Sequence, residues 1–332
     1  MTDPAHERAA WRERRVFLTG ATGLLGGHLV ERLRGLGAEV VCLVRDWVPR
    51  SRTVEEGWLD GTIQVRGELE DVGVLARAVH EHDVDTVFHL GAQALVGSAA
   101  AAPVLTFESN VRGTWNLLEA CRVSGRRVRM IVIASSDKAY GDQGRRACAE
   151  DARLEGRAPY DASKAAADVV AASYAHAYAL PVAIARCGNL YGPGDLHWDR
   201  LVPGTIRSVL RGEAPVIRSD GSPARDWLFV EDAVEGYLAL AERQSAAAGE
   251  AFNFGTGDPR TVLDVVEAIL RLAGAQSLRP RILSDARWEI PWQSLDASKA
   301  RSELQWEPRT PLEEGLGRTL DWYRRRAAGR AP

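Results

Sequence analysis

The chain has 332 residues, 45% of them hydrophobic and 26% charged, with a formal net charge of −3. That length supports one large α/β domain or two joined ones, and the mild acidity supplies no basic face for nucleic acid. With no run of 18 apolar residues, a polar N-terminus and four scattered cysteines lacking a CxxC pair, the expectation is a cytoplasmic protein with reduced thiols, no membrane span and no metal site.

From Arg15 onward, short apolar runs alternate with helix-like segments. Strands are expected at 16–18, 40–44, 63–65, 86–90, 129–134 and 182–185, and helices at 26–36, 75–80, 110–123 and 163–177. Such alternation predicts a doubly wound parallel sheet of the Rossmann type, covered on both faces, with ligands beyond the carboxyl ends of its strands. Past about residue 187, glycine and proline punctuate the chain, as at Gly192-Pro193-Gly194 and Gly221-Ser222-Pro223. We therefore expect 14–186 with about 225–255 to form a dinucleotide-binding domain. Residues 187–224 with about 256–326 are expected to form a smaller C-terminal substrate-binding domain. In the returning part of the dinucleotide-binding domain, 226–243 reads as a strand and a helix capped by Asp232, rejoining the main sheet with Phe252-Asn253-Phe254. The last helix should bury Leu316, Leu320 and Tyr323 on one face.

Gly20-Ala21-Thr22-Gly23-Leu24-Leu25-Gly26 follows the first strand and opens a helix. Glycines there allow a tight turn and close approach to a pyrophosphate, which the helix N-terminus attracts. The second strand ends at Arg45-Asp46. Arg45 suits the 2′-phosphate of NADP and Asp46 the ribose diol of NAD; Arg50 and Arg52 nearby tilt the reading to NADP. Glu68 and Leu69 are placed beside the adenine, and Leu90, Ala92 and Gln93 along the cofactor's other half. Further on, Ser136-Asp137-Lys138 ends an apolar run, and Tyr160 and Lys164 stand four apart on one helix face.

Together these motifs resemble the extended short-chain dehydrogenase/reductase superfamily, whose members include nucleotide-sugar epimerases and dehydratases. The resemblance spans about Arg15 to Tyr323 and includes Asn110, expected at the cofactor. It also includes Arg186-Cys187-Gly188-Asn189-Leu190-Tyr191-Gly192-Pro193-Gly194, Arg225-Asp226-Trp227 and Leu304-Gln305-Trp306-Glu307-Pro308. Asp137-Lys138, and the segment Gly194-Asp195-Leu196-His197-Trp198-Asp199-Arg200-Leu201-Val202-Pro203, resemble the CDP-glucose 4,6-dehydratases, with GDP-mannose 4,6-dehydratases also similar. The resemblance implies a nucleotide-sugar substrate, a bound NAD or NADP regenerated each turnover, and a homodimer formed through a helix pair.

The residues suit that chemistry. Tyr160, with Ser136 and Lys164, can take the proton of a sugar C4 hydroxyl, provided its pKa falls below the usual ~10. Asp137 is the candidate acid for a departing C6 hydroxyl. Lys138 is the candidate group at C5, as base or as a charge holding the enolate. Arg225 and Asn189 are expected at the diphosphate, with Arg200, Leu201, Val202 and Arg287 as further substrate contacts. An epimerase using Tyr160 and Ser136 is the alternative. A net reductase or a non-catalytic dinucleotide sensor follows, though a sensor needs none of Ser136, Tyr160 and Lys164.

Overall fold

The computed structural model describes residues 10–125, 127–286 and 288–329; Arg287 lies outside them. Among the described residues, seven strands form the main sheet: β1 (Arg15–Thr19), β2 (Glu39–Val44), β3 (Ile63–Arg66), β4 (Thr86–His89), β5 (Met130–Ser136), β6 (Val182–Cys187) and β7 (Ala251–Phe254). Their order is β7-β6-β5-β4-β1-β2-β3, and every neighbouring pair is parallel. Central strands are buried on both faces, so they read as unbroken apolar runs rather than as alternation. Strand order reverses between β1 and β4, which opens a crevice beyond their carboxyl ends.

Helices cover both faces. On one side α1 (Leu24–Leu36) supplies Leu29, Val30 and Leu33 against Val16, Leu18, Val40 and Cys42. On the other, α2 (Val72–Glu81), α3 (Gly113–Val123) and α4 (Pro159–Tyr178) bring Leu75, Leu117, Leu118 and Ala171 against Phe17, Val41, Ile131 and Ile133. Each leucine, valine, isoleucine or phenylalanine among them contributes roughly 1.5–3 kcal/mol on leaving water. A third apolar cluster joins α5 (Leu201–Leu210), α7 (Val262–Ala273) and α8 (Leu312–Ala327). The helix between these last elements and β6, α6 (Val230–Glu242), packs Ala233, Val234 and Tyr237 onto the first face of the sheet. Leu316, Leu320 and Tyr323 of α8 are buried together, as their spacing predicts.

Three local expectations change. The helix expected from Asn110 begins as a π turn, Glu108–Arg112, and α3 follows it. There the Thr114 hydroxyl donates to the Asn110 carbonyl at 2.6 Å, and Asn110 is anchored sideways through its amide. Residues Trp227–Phe229 do not join the main sheet; they pair with Asn189–Tyr191, because β7 already occupies the open edge of β6. Nor does Asp232 cap α6. Phe229 holds that position, and the Asp232 carboxylate accepts from the Thr310 backbone N–H at 2.9 Å. No helix among the described residues is long and apolar enough to cross a membrane.

Candidate functional site

The crevice is lined first by the glycine turn. Gly20 sits at φ +78°, and a Cβ there would stand 2.8 Å from the Gly91 nitrogen. A Cβ on Gly26 would overlap the Gly20 carbonyl. Two strand ends therefore close on each other only because side chains are absent. Gly23 is the N-cap of α1 and offers no side-chain cap, so the first N–H groups of the helix stay available, with Thr22, Leu24 and Leu25 half-buried around them. This cradle fits the pyrophosphate of a dinucleotide.

Around it the expected cofactor residues fall along the same crevice. Arg45 and Asp46 are exposed at the end of β2 and pair with each other at 2.6 Å. Glu68 is exposed after β3, whereas Leu69 fills the space beside Gly91 and Gly113. Leu90, Ala92 and Gln93 are half-buried just past β4. Asn110 is buried: its Oδ1 accepts from the Gln93 backbone at 2.7 Å, and its Nδ2 donates to the Ser163 hydroxyl at 2.8 Å. It ties the loop after β4 to the helix that carries Tyr160 and Lys164.

Ser136 ends β5, and Asp137 and Lys138 turn away in a 3-10 turn, Asp137–Tyr140. Pro159 opens α4, which sets Tyr160 in its first turn and Lys164 one turn on. The Ser136 hydroxyl donates to Asp137 Oδ1 at 2.9 Å and accepts from the Lys138 backbone at 3.2 Å. Lys138 Nζ is ringed by Gln293 Oε1 at 2.9 Å, Asn189 Oδ1 at 3.1 Å and Asp137 Oδ1 at 3.5 Å. Burial lowers the Lys138 pKa, against the opposing pull of Asp137. The other Asp137 oxygen is buried without a partner.

Lys164 donates to the Ala134 carbonyl at 2.8 Å, and burial lowers it to about 8. Tyr160 departs from expectation. Burial raises it to about 12, which outweighs the favourable charge of Arg200 and the Ser136 hydrogen bond.

On the substrate side, Arg225 is buried and bonds Glu289 at 3.1 Å and the Ala224 carbonyl at 2.8 Å. Arg200 precedes α5 and pairs with Asp195 at 3.1 Å. Leu201 is half-buried, and the Val202 side chain belongs to the third apolar cluster.

Several roles and contacts escaped the sequence reading. Asp161 is buried beside Tyr160, and burial raises it to about 6 despite the nearby Lys138. Its position inside the Tyr160-to-Lys164 motif was the available signal. Arg186 makes a two-pronged bond to Asp168 at 2.8 Å and donates to the Tyr140 hydroxyl at 2.9 Å. Asp168 stands one turn beyond Lys164 on the same helix face, which is a readable spacing. The Glu289 to Gln293 segment reads as a border of the sugar or nucleotide pocket, but no local pattern joins Gln293 to Lys138, 155 residues away.

Residues 16–255 match the model of the NAD dependent epimerase/dehydratase family. A dTDP-glucose 4,6-dehydratase of Xanthomonas campestris is 32% identical over 92% of this chain and 92% of its own. A CDP-glucose 4,6-dehydratase of Salmonella typhimurium is likewise 32% identical, over 95% of this chain and 91% of its own. Among solved structures, DesIV, a dTDP-glucose 4,6-dehydratase of Streptomyces venezuelae with NAD bound, superposes with a TM-score of 0.87 at 30% identity, covering 96% of this chain and 99% of that one. The UDP-glucose 4-epimerase of Thermotoga maritima also reaches 0.87, at 27% identity over 94% and 99%.

Proposed function

The chain belongs to the NAD dependent epimerase/dehydratase family, and on that premise we propose that it is a nucleotide-sugar 4,6-dehydratase, converting an NDP-glucose to the NDP-4-keto-6-deoxyglucose. One observation carries the reading: Asp137 and Lys138 stand 3.5 Å apart beside Ser136, at the strand end that faces Tyr160. An epimerase needs only the tyrosine and the hydroxyl.

When bound, the nicotinamide supplies the hydride acceptor at C4, the hydride donor at C6 and a positive charge near Tyr160. Tyr160 takes the proton of the C4 hydroxyl, with Ser136 holding the same oxygen and Lys164 favouring the phenolate. Lys138 removes the proton at C5; burial favours its neutral form, and once charged it faces the enolate. Asp137 gives a proton to the C6 oxygen as the C5–C6 double bond forms and water leaves. Lys138 returns its proton to C5 when C6 is reduced, and the 4-keto product departs; Tyr160 then releases the O4 proton to solvent and Asp137 regains one from it, which closes the cycle.

Asn189, Arg200, Leu201, Val202, Arg225 and Arg287 are proposed for the substrate, drawn from 187–224, 256–326 and the strip around 225. Gly20, Thr22, Gly23, Leu24, Leu25, Gly26, Glu68, Leu69, Leu90, Ala92, Gln93 and Asn110 are proposed for the cofactor, within 14–186. Arg45 supports NADP, while Asp46 and the NAD seen in DesIV support NAD; Arg45→Ala should weaken NADP more than NAD. Cytoplasmic location fits a nucleotide-sugar substrate. CDP-glucose is the first base to try, because Lys138 follows Asp137 and the Salmonella relative is named for it.

The test is incubation with CDP-, dTDP-, UDP- and GDP-hexoses, without added reductant, followed by mass spectrometry. Loss of one water with no cofactor consumed supports the dehydratase. An isomer of unchanged mass supports the epimerase instead.

A further inference from the structure

We propose that Gln293 is a specificity-determining residue, whose carboxamide binds the C6 hydroxyl of the sugar; the proposal rests on the dehydratase reading. Gln293 is 4% exposed. Its Oε1 accepts from Lys138 Nζ at 2.9 Å. An ammonium can only donate, so the oxygen must face the lysine, and the amide nitrogen is thereby turned the other way. That nitrogen is buried and has no partner. The neighbouring Asp137, 3% exposed, also leaves one oxygen without a partner.

Thus an unused pair of N–H donors and an unused carboxylate oxygen flank the same lysine. Buried polar groups are ordinarily satisfied, so a pair left open at one place marks where a ligand's polar atoms belong. The complement of two donors and an acidic oxygen is a hydroxyl. In the reaction above, Asp137 protonates O6. The hydroxyl between Asp137 and Gln293 is therefore O6, and Gln293 donates to it. The donor also draws charge from O6 as the carbon–oxygen bond breaks. Because Oε1 holds Lys138 through the same planar group, binding at O6 and placement of the lysine at C5 are coupled.

The experiment pairs a substrate change with a residue change. Affinities are measured by calorimetry for the NDP-glucose that the wild type dehydrates and for its 6-deoxy analogue, which lacks O6. The wild type should prefer the glucose form by about tenfold, the usual worth of one hydrogen bond to a neutral group. In Gln293→Met, checked for folding by its thermal midpoint, that preference should collapse while the 6-deoxy analogue binds within about twofold of the wild type. Equal losses for both ligands would mean a structural role only and overturn the proposal. A wild type that binds both ligands equally would overturn it without any variant. A wild type that dehydrates none of the four hexoses would overturn the dehydratase reading, and this assignment with it.

Discussion

Burial sets Tyr160 at about 12 and Lys164 at about 8. Before the cofactor binds, the phenol keeps its proton at neutral pH and the lysine is mostly charged; the positive nicotinamide near Tyr160 would supply the charge that lets the phenol ionise and act as base. Tyr160→Phe removes the group proposed to take the C4 proton; turnover should fall at least about 100-fold, read as release of the keto sugar, with folding unchanged by circular dichroism. Asp137→Asn keeps the shape but not the proton. It should stall after C4 oxidation, visible as a lasting absorbance of reduced nicotinamide when substrate is added. Asp161 makes a separate prediction about stability. Its carboxyl is raised to about 6 by burial, so the folded state holds a proton that the unfolded state has released. A raised pKa favours folding fully below the ordinary carboxylate range, and that advantage is lost as pH rises through about 6. Asp161→Asn should therefore match the wild type in melting near pH 4 and exceed it at pH 7, by up to about 3 kcal/mol.

At the scale of elements, the glycine turn makes the firmest demand. Gly26→Ala places a methyl on the Gly20 carbonyl, so α1 must shift off β1. We expect a loss of about 1–3 kcal/mol in denaturant melts and weakened NAD binding by fluorescence titration. The turn, the strands and the helices on either side of them were legible because each is written in contiguous residues: apolar runs, glycine spacing, a tyrosine and lysine one turn apart. What was not legible depends on partners far away in sequence. The π turn at Glu108–Arg112 exists where Asn110 is anchored by Gln93 and Ser163. Trp227–Phe229 looked like a sheet strand, and only the presence of β7 beside β6 excludes it. The Tyr160 pKa was misjudged because spacing reports the neighbouring lysine but says nothing of the surrounding depth.

For the whole molecule, the outward surface of α3 and α4 is unusually apolar. Trp115 is 42% exposed, Val169 58% and Tyr178 56%, and Leu105 just before them 69%. Large adjoining apolar patches mark association surfaces, so the dimer proposed from the family resemblance would bury this face. Val169→Glu should then convert a dimer to a monomer in sedimentation velocity, with the helical content retained. Ala171 of the same helix is fully buried against the sheet, because α4 turns it inward. The closing helix acts across a greater span. From α8, the Trp322 indole donates to Glu56 at 3.0 Å, Arg326 pairs with Glu55, and the Tyr323 hydroxyl reaches the Asp195 carbonyl. Glu56 in turn bonds Arg52, which leans on His28 of α1. Ribosomes add roughly 5–20 residues per second, so Trp322 emerges tens of seconds after the segment it braces. During synthesis the nucleotide cradle must wait, partly unsupported, for the far end of the chain to arrive.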